Sequence, residues 1–246
     1  MKRQPSAILA RILAAACLLI SFSETSPAGD YANRQILGFS PDGSTFAFEQ
    51  FGIQDGSGFP YADIFIIDTA SDQWIKGSPF SARLEDERAQ QKWARRDALS
   101  KAGNTLREKL ITAPGRLLAS NPPSEVSANP HSVTVNTARS PTMTPERWTF
   151  TLNEVPLTSP KCSAFTSQGI KGFRLVAQQE GKQPGVLHTD TQLPNSRGCA
   201  LRYAISDIII HEPDNGPRSF AILISIFSHG FEGPDRRFIA VTARFP

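Results

Sequence analysis

The pattern of apolar and polar positions divides the chain into a β-like beginning, a charged helical stretch and a β-like remainder. Gln35 to Phe39 leads into Ser40-Pro41-Asp42-Gly43, where proline second and glycine fourth predict a type I or II turn. Thr45 to Phe51 follows, with Phe46 and Phe48 alternating on one face in the two-residue period of a strand. Tyr61 to Asp68 instead runs through Ile64-Phe65-Ile66-Ile67 without alternation, which predicts a strand buried on both faces. Thr69 to Gln73 reads as the next turn, before a strand that starts at Trp74-Ile75.

From Phe80 to Ala113 there is no proline and one glycine, Gly103, among Arg, Glu, Gln, Lys and Ala. These are strong helix formers, and Ala94, Ala98, Ala102, Leu106 and Leu110 fall on one i, i+4 row. The row predicts a helical segment over about 81–113, with Asn104 after Gly103 as the N-cap of a second helix and Pro114 as its stop. Eight prolines between Pro114 and Pro160 exclude long helices there. Trp148, Phe150 and Leu152 then alternate with polar residues, and strands are expected at Phe173–Ala177, Val186–Thr189, Leu201–His211, Ser219–Ser228 and Arg237–Arg244. Asp214-Asn215-Gly216 reads as a hairpin turn between two of them. Short strands without alternating helices predict a mainly β fold of the α+β kind: an antiparallel β-sandwich, or propeller-like sheets, with one inserted helical segment.

The first 28 residues have a different character. Lys2, Arg3 and Arg11 precede an eleven-residue apolar run, Ile12 to Phe22, which is short of the about 20 residues that a membrane span needs. Ser26 and Ala28 supply a small-residue cleavage site, so residues 1–28 are read as a cleaved signal peptide and 29–246 as a single exported domain. Within it, 29–80 is a blade-like hairpin part, 81–113 the helical insertion, and 114–246 a proline-rich connection and antiparallel β part. The expected location is periplasmic or secreted. Cys17 leaves with the signal, so Cys162 and Cys199 remain as an even pair in an oxidising compartment, and a structural disulfide is expected.

Charge changes the picture less than the pI of about 8.9 suggests. The formal excess over all 246 residues is +3, and residues 1–28 hold three basic groups and one acidic group, which leaves the remainder nearly neutral. That removes the case for nucleic acid as a partner. The distribution is uneven: residues 29–75 carry one basic and seven acidic side chains, residues 76–109 nine basic and five acidic. The basic helix is therefore expected to pack near the acidic N-terminal hairpin.

No serine sits in a G-x-S-x-G elbow, no G-x-G-x-x-G or P-loop is present, and His131, His188, His211 and His229 show no metal-binding spacing. The acidic loops are the remaining candidates. Glu49, Asp55, Asp63 and Asp68, with Gly56 and Gly58 between them, are hard oxygen donors of the kind Ca²⁺ prefers, although Asp at a turn more often bonds its own backbone. Glu232, Asp235, Arg236 and Arg237 form a second charged loop, suited either to an anionic group held by the arginines or to a local salt-bridge network, the favoured reading. No cofactor is predicted beyond this candidate for calcium.

Two resemblances rest on particular stretches. Phe39-Ser40-Pro41-Asp42-Gly43, the buried strand after it and Ile67-Asp68 resemble a single repeat of TolB-like β-propellers. Phe39-Ser40-Pro41-Asp42-Gly43, Gly52 to Tyr61, Pro114 to Pro123 and Gly230 to Arg237 resemble a bacterial family of predicted secreted proteins, the domain of unknown function numbered 2259. This second resemblance implies export and one shared domain, and it implies no activity. The chain is accordingly read as a non-catalytic binding or envelope-associated module with an unknown ligand or envelope partner and no membrane span after residue 28. The alternatives are a secreted hydrolase whose carboxylates converge only in the fold, or a structural calcium-binding protein.

Overall fold

The structure is a computed structural model that describes residues 29–246, apart from 123, 141, 165, 168, 231, 232 and 246. The expected signal at 1–28 and the loop residue Glu232 lie outside the described residues. Three antiparallel sheets form the framework of the fold. The first contains β1 (Asn33–Phe39), β2 (Thr45–Ile53), β3 (Pro60–Asp68) and β4 (Gln73–Trp74) in that order, with β5 (Phe80–Arg83) also paired to β3. The helix α1 (Gln91–Glu108) follows, then β6 (Arg116–Ser120). The chain next builds a sequential meander from β7 (Ser132–Asn136), β8 (Arg147–Pro156), β9 (Lys171–Gln179) and β10 (Gly185–Thr189), with the one-turn helix α2 (Pro160–Ser163) between β8 and β9. It then returns to β6 with β11 (Ala200–His211), β12 (Arg218–Ser228) and β13 (Asp235–Phe245), in the order β13-β12-β11-β6.

The returning sheet lies in the middle, because its strands are apolar on both faces. Along β12, Phe220, Ile222, Ile224 and Ile226 point into a core shared with Trp148, Phe150 and Leu152 of β8 and Phe173 and Leu175 of β9. The alternate residues Ala221 and Leu223 point the other way, onto Phe46, Phe48 and Phe65 of the first sheet. The two-residue period thus sorts one unbroken apolar run into two cores. β3 repeats the arrangement one layer out: Phe65 and Ile67 face the central sheet, while Ala62, Ile64 and Ile66 face α1.

α1 covers the outer face of the first sheet through Ala94, Ala98 and Ala102, all fully buried. Alanine at these positions lets the helix approach closely, so the charged helix docks by small apolar contacts. Arg95 then links it to the acidic hairpin, donating from Nε and Nη2 to the Glu49 carboxylate at 2.9 and 2.7 Å, with its guanidinium 3.8 Å from the centre of the Phe51 ring.

The helical segment is shorter than expected, and it does not restart at Asn104. Residues 80–83 form β5 instead, because Phe80 and Ala82 alternate inward beside an otherwise unpaired stretch of β3. The helix continues through Gly103 because a break there would lift Ala102 and Leu106 off the sheet they pack on; Asn104 is held from within, by Arg107 one turn on. β6 and β7 fit into proline-free intervals of the 114–160 stretch, where sequence periodicity was too short to show them.

The Ser40-Pro41-Asp42-Gly43 turn joins two sheets as well as two strands. Gly43 has φ +71°, and a Cβ there would lie 2.7 Å from Ser219 Oγ of the central sheet. Its carbonyl accepts from Thr69 Oγ1 and Ser219 Oγ at 2.6 and 2.8 Å. Asp42 closes the turn by accepting from Ser40 Oγ at 2.6 Å and Ser44 N at 3.0 Å, and these bonds lower its pKa to about 2. A folded pKa below the ordinary 3.8 means a contribution present above that value and lost as pH falls through about 2. Asp42→Asn is therefore expected to lower stability by about 1 kcal/mol or less at neutral pH, since the carboxylate is exposed. Urea titrations from pH 6 down to about 2 should show the two proteins converging.

Candidate functional site

The carboxylates expected to gather around a cation are distributed across the first sheet. Register pairs Glu49 with Ile64, and Gln50 with Asp63, so Glu49 and Asp63 lie on opposite faces. Glu49 is buried under α1 in its ion pair with Arg95. Asp63 accepts from Gln50 Nε2 at 3.1 Å. Asp68 accepts from the backbone of Ala70 and Ser71, and from Ser71 Oγ, bonds that hold its pKa below the usual range. Asp55 sits at the far end of the sheet, where its charge and that of Asp30 help burial raise the pKa of Asp235. Among the described residues no three His, Cys, Asp or Glu side chains gather as metal ligands.

The second charged loop divides between two tasks. Arg237 pairs with Asp30 at 2.5 Å and donates to the Asp30 carbonyl, while Asp235 accepts from Asp30 N at 3.0 Å. These bonds anchor the segment before β1 to the start of β13. Arg236 points elsewhere. It is nine-tenths buried, its Nη2 donates to the Ala32 carbonyl at 2.9 Å, and its Nε is buried with no hydrogen-bond partner among the described residues. Among the described residues no carboxylate lies in ion-pair range of Arg236. Burial, together with the neighbouring charge of Arg34, holds its pKa below the usual guanidinium range.

Arg236 stands in a row that strand register assembles. Across the central sheet, Phe227 of β12 pairs with Arg202 of β11 on one side and with Arg236 of β13 on the other, and Tyr31 bridges to Arg236 beyond it. The Arg202 guanidinium lies 4.1 Å from the Phe227 ring centre, and that of Arg236 lies 5.1 Å from the Tyr31 ring centre. Tyr31 and Phe227 meet edge to face at 6.3 Å. This is the face of the central sheet that Ala221 and Leu223 bury against the first sheet; at Ser225 and Phe227 the face runs out from under that cover. The loop after β6, with Asn121, Pro122 and Pro130, closes the other side, leaving a pocket of about 320 Å³.

Two guanidiniums flanking an apolar aromatic floor can hold an anion in place and pack the rest of a ligand against rings. Neither has an acidic partner in ion-pair range among the described residues. Glu125 at the rim is engaged with Ser127 and Ala128. Arg236 is legible as a candidate from the sequence, whereas Arg202, Tyr31 and Phe227 belong to no motif, and only the register brings them together.

Cys162 of α2 and Cys199, just before β11, form a disulfide. Trp148 is in the core, whereas Trp74 and Trp93 remain about two-fifths exposed. No helix among the described residues is long and apolar enough to cross a membrane. A family model described as predicted secreted protein (DUF2259) matches residues 47–244. No curated protein and no solved structure matches the chain.

Proposed function

The chain belongs to the DUF2259 family of predicted secreted proteins, and from that premise we propose that it is a non-catalytic binding module, working in the periplasm or outside the cell, whose ligand presents an anionic group to Arg202 and Arg236. The signal-like residues 1–28 support the location. The observation that carries the ligand class is Arg236: a guanidinium nine-tenths buried that lines the pocket, with no carboxylate in ion-pair range among the described residues. Leaving such a group unpaired costs free energy, and a ligand carboxylate or phosphate would recover it as charge-assisted hydrogen bonds. The flanking rings of Tyr31 and Phe227 favour an anion carried on an apolar or aromatic body.

Calorimetric titration with benzoate and phenyl phosphate, against phenol and inorganic phosphate as half-ligands, tests the proposal. Saturable binding of a charged aromatic probe is expected, weakening as salt rises. Arg202→Ala, at an exposed position, is expected to reduce affinity about tenfold with unchanged melting temperature. Arg236→Lys is expected to weaken binding further, because a point charge cannot reproduce the planar fork. Failure of every charged probe to bind, or equal affinity in Arg202→Ala, would overturn it.

A further inference from the structure

A second cleft opens where the edges of all three sheets come together. β4 ends the first sheet, β13 the central sheet and β10 the third, and the three edges border a cleft of about 330 Å³. Edge strands carry backbone groups that the sheet does not use, so each can be accounted for in turn. On the outer edge of β13, Arg236 N donates to the Asp30 carbonyl, Phe238 N to Gln50 Oε1 and Thr242 N to Asp72 Oδ1. Ala240 is the remaining residue of that alternation. Its N–H faces the same way by the two-residue period, lines the cleft and meets no acceptor there among the described residues.

The side chains around Ala240 have the same character. Asp72, held at φ +54° in the turn before β4, uses Oδ1 on the backbone and hydroxyl of Thr242 and leaves Oδ2 without a partner among the described residues. Trp74 packs its ring against Phe65 at 5.5 Å between centres, is 43 % exposed, and makes no hydrogen bond from its indole N–H to any described residue. His188 of β10 lines the cleft, stacks on Phe173 and places Nε2 2.9 Å from Asp190 and 3.4 Å from Arg197 Nη2. Ser196, on the 3₁₀ turn Asn195–Arg197, has an exposed and unengaged hydroxyl.

The charges here are arranged differently from those of the arginine pocket. Arg197 is buried and bound to Asp190 at 2.5 Å, so those two neutralise each other and neither offers a free charge. Burial raises the pKa of Asp72, which faces no cation in ion-pair range among the described residues. Among the described residues the cleft thus combines a half-exposed indole face, two unused N–H donors, the unused Asp72 Oδ2, an imidazole and a hydroxyl, without a free guanidinium or ammonium. Vicinal hydroxyls on an apolar-faced ring complement that set, because each hydroxyl both donates and accepts while the ring's C–H face packs on the indole.

We infer that the cleft bordered by Asp72, Trp74, His188, Ser196 and Ala240 is a binding site for a neutral saccharide, with Trp74 as the stacking surface and Asp72 and the Ala240 N–H as the hydroxyl partners. The site is independent of the arginine pocket, and either assignment stands if the other fails.

Saturation-transfer NMR and calorimetry with cellotetraose, maltotetraose and triacetylchitotriose test it on the folded protein. At least one should bind and shift the His188 ring resonances. Trp74→Ala is expected to weaken that binding about tenfold or more. Asp72→Asn keeps Oδ1 for Thr242, so the fold is retained, and is expected to weaken binding several-fold by replacing the free acceptor with a donor. If none of the three saccharides binds, or if binding persists unchanged in both variants with the His188 resonances unmoved, the inference is overturned.

Discussion

Replacing Phe220 by alanine is expected to cost about 3–5 kcal/mol, a large share of the about 5–15 kcal/mol that separates a typical folded domain from its unfolded chain. Phe220 is fully buried on β12, with ring centres 5.2 Å from Trp148, 5.4 Å from Phe150 and 5.7 Å from Phe245. Those partners come from the meander and from β13, so the ring joins the central sheet to the third. β12 lies between β11 and β13 and cannot move inward to refill the space without breaking ladders on both sides. Urea unfolding followed by tryptophan fluorescence reads the loss directly, because Trp148 lies at the cavity. Val186→Ala on the exposed face of edge strand β10 provides the contrast, with a change within about 0.5 kcal/mol. Near-equal effects of the two substitutions would contradict the stacking of the central sheet on the third.

Removing the disulfide is expected to have an effect of similar size by a different route. The bridge joins residues 37 apart in sequence, and in the chain-entropy model closing a loop of that length is worth about 4 kcal/mol. For a chain of this length that corresponds to a fall of about 10 °C in melting temperature on reduction or in a Cys162→Ser/Cys199→Ser variant. The bridged segment explains why so much rests on one bond. α2 is a single turn beside residues 157–159, and it has little regular structure of its own. Hydrogen exchange should accelerate there first, while β12 stays protected. Alkylation of both thiols in the exported protein without reductant would show that the bridge does not form.

Much of the fold was legible because two signals are local. The unbroken runs at Ile64–Ile67 and Phe220–Phe227 each report a strand buried on both faces, and β3 and β12 match them; the alternation at Phe46 and Phe48 gives only the face of β2 turned to the central sheet, while α1 buries the other face over Ala47 and Glu49. The Ser40-Pro41-Asp42-Gly43 turn is equally local, because the bonds that close it, made by the Ser40 and Asp42 side chains, lie within five residues. β5, β6 and β7 were illegible for the complementary reason. They are four or five residues long, too short to display a period, and β6 in addition depends on a partner distant in sequence, pairing with β11 across some 90 residues. Asn104 shows the opposite failure: its local preference for a helix start yields to the alanine face that keeps α1 on the sheet.

The binding sites divide along the same line. By itself the sequence determined the mainly antiparallel β class, the apolar runs that form two cores, the pairing of two cysteines and the acidic-to-basic polarity that Arg95 and Glu49 join. It also named Arg236, as one of the charged loop residues Glu232, Asp235, Arg236 and Arg237. Only the tertiary structure decided that Arg236 stands in a row with Phe227 and Arg202 while its neighbour Arg237 is neutralised by Asp30. In the same way, it alone brought Asp72, Trp74 and His188 to one cleft from the edges of three sheets. The physical reason is that burial and turn formation depend on periods of two to four residues, which a chain carries locally. The chemistry of a pocket depends on which strands lie side by side, and that follows from the packing of whole sheets.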